Sequence, residues 1–110
     1  MGRESIGEFE HLILLAILRL NDEAYGTAVL EEIGRHTDRA VLRPAVYNAL
    51  RRLEAKGLIR SEVGEPTPER GGRAKRFFRL ERAGMATLRE SRRTLLSFWD
   101  GVDARLDEAT

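Results

Sequence analysis

The sequence predicts a mainly α-helical fold with one small β-hairpin, in the order helix–helix–helix–strand–strand–helix. Three observations predict it. Apolar residues recur at helical spacing in four segments. Two short runs, "LIRSEV" and "KRFFRL", alternate with a period of two. Between those runs lies "GEPTPERGGRA", a long hairpin loop with a Gly-Gly turn signal near its tip.

Each element has its own local cause. Ser5 stands three residues before Glu8, the spacing of a capping box, just ahead of an apolar run. Phe9, Leu12, Ile13, Ala16, Ile17 and Leu20 then recur at helical spacing and Asn21 is a stop, so a first helix is expected from about Gly7 to Leu20. "NDEAYG" reads as a turn, and Thr27 as the cap of a second helix running through Ala28, Leu30 and Ile33 to about His36. Pro44 suits the first turn of a third helix, where its missing N–H is no loss, and Gly57 suits the position just past its end. Val46, Ala49, Leu50 and Leu53 form the buried stripe of that helix, which leaves Tyr47, Asn48, Arg51 and Arg52 on its other faces. In the strands, Ile59, Ser61 and Val63 share one face, as do Phe78 and Leu80. Beyond Ala83 a last helix carries Met85, Leu88, Leu95, Trp99, Val102 and Leu106 at spacings close to a coiled-coil seam, weakened near its end by Gly101.

Composition limits what such a chain does. At 110 residues and 42% hydrophobic content it is one small domain, with or without an appended helix. It has no cysteine, which excludes disulfides and thiolate metal sites. The apolar run near the start is preceded by acids, broken by Arg19 and too short to span a bilayer, so a cytoplasmic chain with no membrane partner is expected. The net charge of +1 conceals a segregation: −5 over residues 1–34, +7 over residues 35–82 and −1 over the remainder. A basic middle between acidic ends is the footprint of a polyanion-binding surface. Catalysis finds no support. His11 and His36 lie on different helices without a nucleophile or acid at a telling spacing, and neither a metal-ligand cluster nor a cofactor motif is present.

The element order has a functional meaning. A third helix exposing Tyr47, Asn48, Arg51 and Arg52 offers hydrogen-bonding groups to base edges and cations to phosphates, as the recognition helix of a helix-turn-helix must. The adjoining cationic hairpin can reach the neighbouring groove, where arginine suits the enhanced negative potential of a narrow minor groove. The reading is therefore a winged helix-turn-helix with a recognition helix over about 44–56 and a wing over about 64–75. Two other readings compete with it: a winged-helix protein–protein module meeting an acidic partner, and an RNA-binding domain. Against RNA, only Tyr47 and Phe77 lie near the basic surface, too few for a stacking platform.

"AYG", then "VYNALRRLEAKGLI", then "GGRAKRFFRLERAG" closely resembles the PadR family of bacterial winged-helix transcriptional regulators, in its short form with a single C-terminal helix. The resemblance runs from about Phe9 to the last helix. It is carried by Tyr25-Gly26, by Tyr47, Leu50, Leu53 and Glu54, by Gly57-Leu58 and by the basic-aromatic second wing strand. Two positions depart from the family pattern. Glu81 stands where a capping threonine is common, and "RPAVYNAL" places Pro44 where relatives have a small hydroxyl or glycine before the tyrosine.

The resemblance implies a repressor that binds an inverted-repeat operator in double-stranded DNA as a homodimer, without a cofactor. It divides the chain into a DNA-binding domain over 1–82 and a C-terminal dimerisation helix over 83–110. The expected DNA contacts are Pro44, Tyr47, Asn48, Arg51, Arg52, Arg70, Arg73, Lys75 and Arg76. The expected dimer interface is the stripe of Met85, Leu88, Leu95, Trp99, Val102 and Leu106. Trp99, occurring twice near the axis of such a dimer, is the candidate contact for a small aromatic effector, against the plainer reading that it packs the interface. Arg51 and Glu54 are placed to pair on the helix surface.

Overall fold

The structure, a computed structural model, describes residues 5–66 and 74–109. Its elements are α1 (Glu8–Leu20), a single 3-10 turn (Asn21–Glu23), α2 (Gly26–His36), α3 (Arg43–Ala55), β1 (Ile59–Pro66), β2 (Ala74–Leu80), α4 (Arg82–Trp99) and α5 (Asp103–Ala109). The expected class holds: a mainly helical chain with one antiparallel hairpin.

The core lies close to where the apolar periodicity points, except that Leu14 is fully buried in α1 while Phe9, Leu12 and Leu20 are only partly buried against it. Ile13, Leu14 and Ile17 of α1, Val29 and Ile33 of α2, and Val46, Ala49, Leu50 and Leu53 of α3 meet in one buried cluster, closed by Leu58, Ile59, Phe78 and Leu88. Each fully buried Leu or Ile contributes about 1.5–3 kcal/mol relative to an exposed one. No helix among the described residues is long and apolar enough to cross a membrane.

The helix starts differ from expectation. Gly7 is the N-cap of α1 and no side chain caps it, so Ser5 lies two residues before the cap and Glu8 is the first helical residue, which leaves no capping box between them. Glu8 and Glu10 in the first turn still complement the helix dipole. Tyr25, in extended conformation, is the N-cap of α2, which puts Thr27 inside the helix. The cause is tertiary: Phe78 donates its backbone N–H to Ala24 O at 2.8 Å, and Tyr25 forms an isolated antiparallel bridge with Phe77. A single bridge at Tyr25 thus ties the start of α2 to the outer side of β2. Pro44 does occupy the first turn of α3, and Gly57 follows that helix with φ of +77°, which favours glycine.

Within the hairpin, Ile59 pairs with Leu80, Ser61 with Phe78 and Val63 with Arg76, with an irregularity between Val63 and Pro66. Ile59 is 2% exposed and Phe78 5%, but Val63 is 59% exposed, so the shared face leaves the core before the strand ends. The last helix is not continuous. Asp100 ends α4 and Gly101, with φ of +79°, turns the chain into the short α5. Val102 and Leu106 therefore lie beyond a break that a single coiled-coil seam does not contain. Leu88 is 6% exposed and belongs to the chain's own core, whereas Met85, Leu95, Trp99, Val102 and Leu106 are 40–53% exposed.

Candidate nucleic-acid interface

Four buried residues of α3 turn its opposite face outward. Pro44, Asn48, Arg51 and Arg52 are all exposed there, while Tyr47 is half-buried. Tyr47 lies across Gly26: a Cβ at Gly26 would come 2.4 Å from the Tyr47 hydroxyl and 2.6 Å from its ring. Glycine at the start of α2 is thus what lets the Tyr47 ring lie across it, so Gly26 of the Tyr-Gly pair has a packing reason.

A groove of about 770 Å³ separates the start of α2, the outer face of α3 and β2. Tyr25, Thr27, Tyr47, Arg51, Lys75 and Arg76 line it, with Glu54 as its carboxylate. Lys75 Nζ stands 4.1 Å from the centroid of the Tyr25 ring, and Tyr25 meets Phe77 edge-on with centroids 5.8 Å apart. This stack pins the base of the wing to the start of α2. Arg76 Nη1 donates to Ser61 Oγ at 3.0 Å, and Ser61 donates to Glu54 Oε2 at 2.8 Å, which ties both strands to α3.

Of the expected contacts, Tyr47, Arg51, Lys75 and Arg76 gather around this groove, with Pro44 and Asn48 on the exposed face of the same helix. Arg52 is set apart, because its Nε lies 3.4 Å from Glu10 Oε2, as does Lys56 Nζ, so it braces α3 against α1. The expected Arg51–Glu54 pair does not form: Arg51 Nη2 donates to Asn48 Oδ1, and Glu54 is held by Ser61. Arg70 and Arg73 lie outside the described residues. Arg43, not singled out from the sequence, is exposed in the first turn of α3, and its Nη1 reaches Thr27 Oγ1 at 3.4 Å. Its place beside Pro44, in the first turn of the exposed helix, was the available signal. Arg79 of β2 is shared by Asp22 at 2.9 Å and Glu62 at 3.3 Å, a bracing role on the strand.

The described residues contain no cluster of three His, Cys, Asp or Glu side chains able to hold a metal. His11 and Ser91 share a hydrogen bond, Nδ1 to Oγ 2.8 Å, and burial pushes the His11 pKa below its ordinary value. His36 ends α2 beside Glu32 at 3.0 Å.

Three helices, a hairpin and a cation-lined groove are the arrangement that the motifs implied, and residues 14–90 match the family model described as "Transcriptional regulator PadR-like family". The chain belongs to the PadR-like family. A relative from Mycobacterium tuberculosis, "Transcriptional regulator Rv3488", is 40% identical over 75 residues, which are 68% of this chain and 65% of that relative's length. Solved PadR structures share the fold. A PadR family transcription regulator from Clostridium difficile superposes with a TM-score of 0.72 at 19% identity, covering 89% of this chain and 98% of that one. A PadR family transcriptional regulator from Eggerthella lenta gives 0.69 at 28% identity, covering 90% and 86%. The PadR match starts inside α1 and ends within α4, so both the groove and the Tyr25-Gly26 junction fall inside it.

Proposed function

We propose that this PadR-like protein is a repressor, acting in the cytoplasm, that binds an inverted-repeat operator in double-stranded DNA as a homodimer. One observation carries the reading: Arg51, Lys75 and Arg76 line a single groove between the exposed helix α3 and the hairpin, beside Asn48. Cations so placed meet phosphates, while a polar side chain on an exposed helix meets base edges. Arg70 and Arg73, which lie outside the described residues, add two more cations to the sequence between β1 and β2.

Dimerisation is supported by the exposed apolar residues of the C-terminal segment. Leu95, Leu96, Phe98, Trp99, Val102 and Leu106 are each more than 40% exposed, a surface that two-fold pairing would bury. In this division residues 1–82 carry DNA and residues 83–110 the dimer contact, with Leu88 serving the core of its own chain. A groove of about 870 Å³ between the start of α1 and α4, lined by Leu12, Leu95 and Trp99 among others, supports a small aromatic effector near Trp99.

Binding to duplex DNA at two salt concentrations tests the main reading. Displacing counterions from several phosphates gives a steep fall of affinity with salt. Binding that is absent, or nearly flat with salt, would instead favour an acidic protein partner. For the effector, quenching of Trp99 fluorescence by planar aromatic compounds is expected, and unchanged emission across such compounds leaves Trp99 as interface packing alone.

A further inference from the structure

From Arg92 to Glu108 every residue is exposed, so the rest of the chain covers no face of α5 or of the end of α4. Leu95, Leu96, Phe98 and Trp99 lie in this stretch. The seven residues of α5 are too few to hold helical form in water by themselves. Such a segment needs a cover, and its charges indicate which one.

Charge is segregated to either side of the apolar stretch. Residues 82–93 carry Arg82, Arg89, Arg92 and Arg93 against Glu90, a net of +3. Residues 100–108 carry Asp100, Asp103, Asp107 and Glu108 against Arg105, a net of −3. Arg93 donates to Glu90 of its own helix, but Arg82, Arg89, Arg92, Asp100 and Asp103 have no ion-pair partner among the described residues. A cationic half, an apolar centre and an acidic half make a self-complementary segment. Two copies side by side in the same direction set arginine on arginine. Run in opposite directions about a two-fold axis, they set apolar on apolar and each cationic half on the other copy's acidic half. Counted from Leu96, Arg92 and Asp100 are each four residues away, and Arg89 and Asp103 are each seven away.

We propose that the segment from Arg82 to Glu108 is covered by the same segment of a second copy running antiparallel, with Arg89 and Arg92 of each copy facing Asp100 and Asp103 of the other. This rests on the homodimer reading above and adds an orientation to it. Exposed ion pairs each contribute little. The apolar centre therefore supplies affinity, and the charges exclude the parallel arrangement.

Sedimentation of the full chain and of charge-reversed variants tests this. Wild type should be a dimer. Arg89→Glu with Arg92→Glu makes both halves acidic, and Asp100→Arg with Asp103→Arg makes both basic. Each double variant alone should dimerise roughly tenfold or more weakly. Mixing the two should restore a heterodimer, and a chain carrying all four substitutions should pair with itself. Salt at about 1 M should shrink these differences. Circular dichroism establishes that each variant is folded. Should the aspartate variant not fold, the arginine variant mixed with wild type decides, because that pair regains one attractive contact and should dimerise more strongly than the arginine variant alone. Rescue in the fourfold variant without rescue in the mixture means that the halves meet within one chain, which overturns the proposal. Double variants that dimerise like wild type also overturn it, and leave the homodimer standing. A wild-type chain that sediments as a monomer removes the homodimer reading, and this inference with it.

Discussion

Glu32 shows what a single side chain gains from its neighbours. It is 7% exposed on α2, with Arg19 Nε at 2.7 Å and Arg35 and His36 of its own helix also against it. The hydrogen bond from Arg19, then that from Arg35, holds its carboxyl at about 2 against an ordinary 4.5. A depressed carboxylate pKa means stability that is present above pH 4.5 and lost as pH falls toward 2. Glu32→Gln should therefore lower stability near neutral pH and flatten its decline across that window, as read by urea midpoints at several pH values. On the wing, Lys75 combines a cation–π contact with Tyr25, worth about 0.5–1 kcal/mol at such sites, with a position facing the groove. On the proposed function, in which Lys75 meets a phosphate in each half of a homodimer, Lys75→Ala should reduce the salt slope of DNA binding by about 1.8, since each lost phosphate contact removes about 0.9. It should weaken operator and random DNA alike. The residue scale is also where sequence reasoning is weakest. The Arg51–Glu54 spacing on α3 is correct for a pair, yet the partner that Glu54 takes, Ser61, comes from a strand whose register only the fold supplies.

Elements were legible where periodicity speaks for many residues at once. The stripe of α3 and the alternation around Phe78 correspond to real burial. Caps were less legible because a cap depends on one residue's backbone. Ser5 and Thr27 have suitable chemistry, but α1 begins at Glu8 and α2 begins where Tyr25 is pinned to Phe77. The junction of α4 with the rest of the chain is equally specific. A Cβ on Gly84 would lie 2.0 Å from the Leu58 carbonyl oxygen, a backbone atom that cannot swing aside. Gly84→Ala should cost about 1–3 kcal/mol, as overpacking in close-packed interiors does, and thermal unfolding would register it. A melting temperature equal to wild type would mean that α4 can lift away from the turn after α3 without loss.

For the whole molecule, the open question is how much apolar surface one copy tolerates. Leu95 is 53% exposed and Phe98 79%, on a helix whose first turns are buried against the domain. If the proposed homodimer forms through this stripe, Leu95→Glu should leave the monomer folded, shift sedimentation from dimer to monomer, and weaken operator binding through lost pairing of half-sites. A variant that still sediments as a dimer would place the interface elsewhere, for example on the exposed Leu15 and Leu18 of α1.

By itself the sequence determined the fold class, the family and the basic face, because each is written redundantly. Helical stripes span many residues, and the charge segregation survives any single error. Tertiary structure alone decided which cation takes which partner. It gave Arg52 to Glu10, Arg79 to Asp22 and Glu62, and Arg76 to Ser61. It also assigned Leu88 to the chain's own core and broke the last helix at Gly101. The reason is physical: burial is set by an average over a face, whereas a hydrogen bond needs two atoms within about 3 Å. Those atoms come from segments distant in the sequence, and only packing fixes their separation.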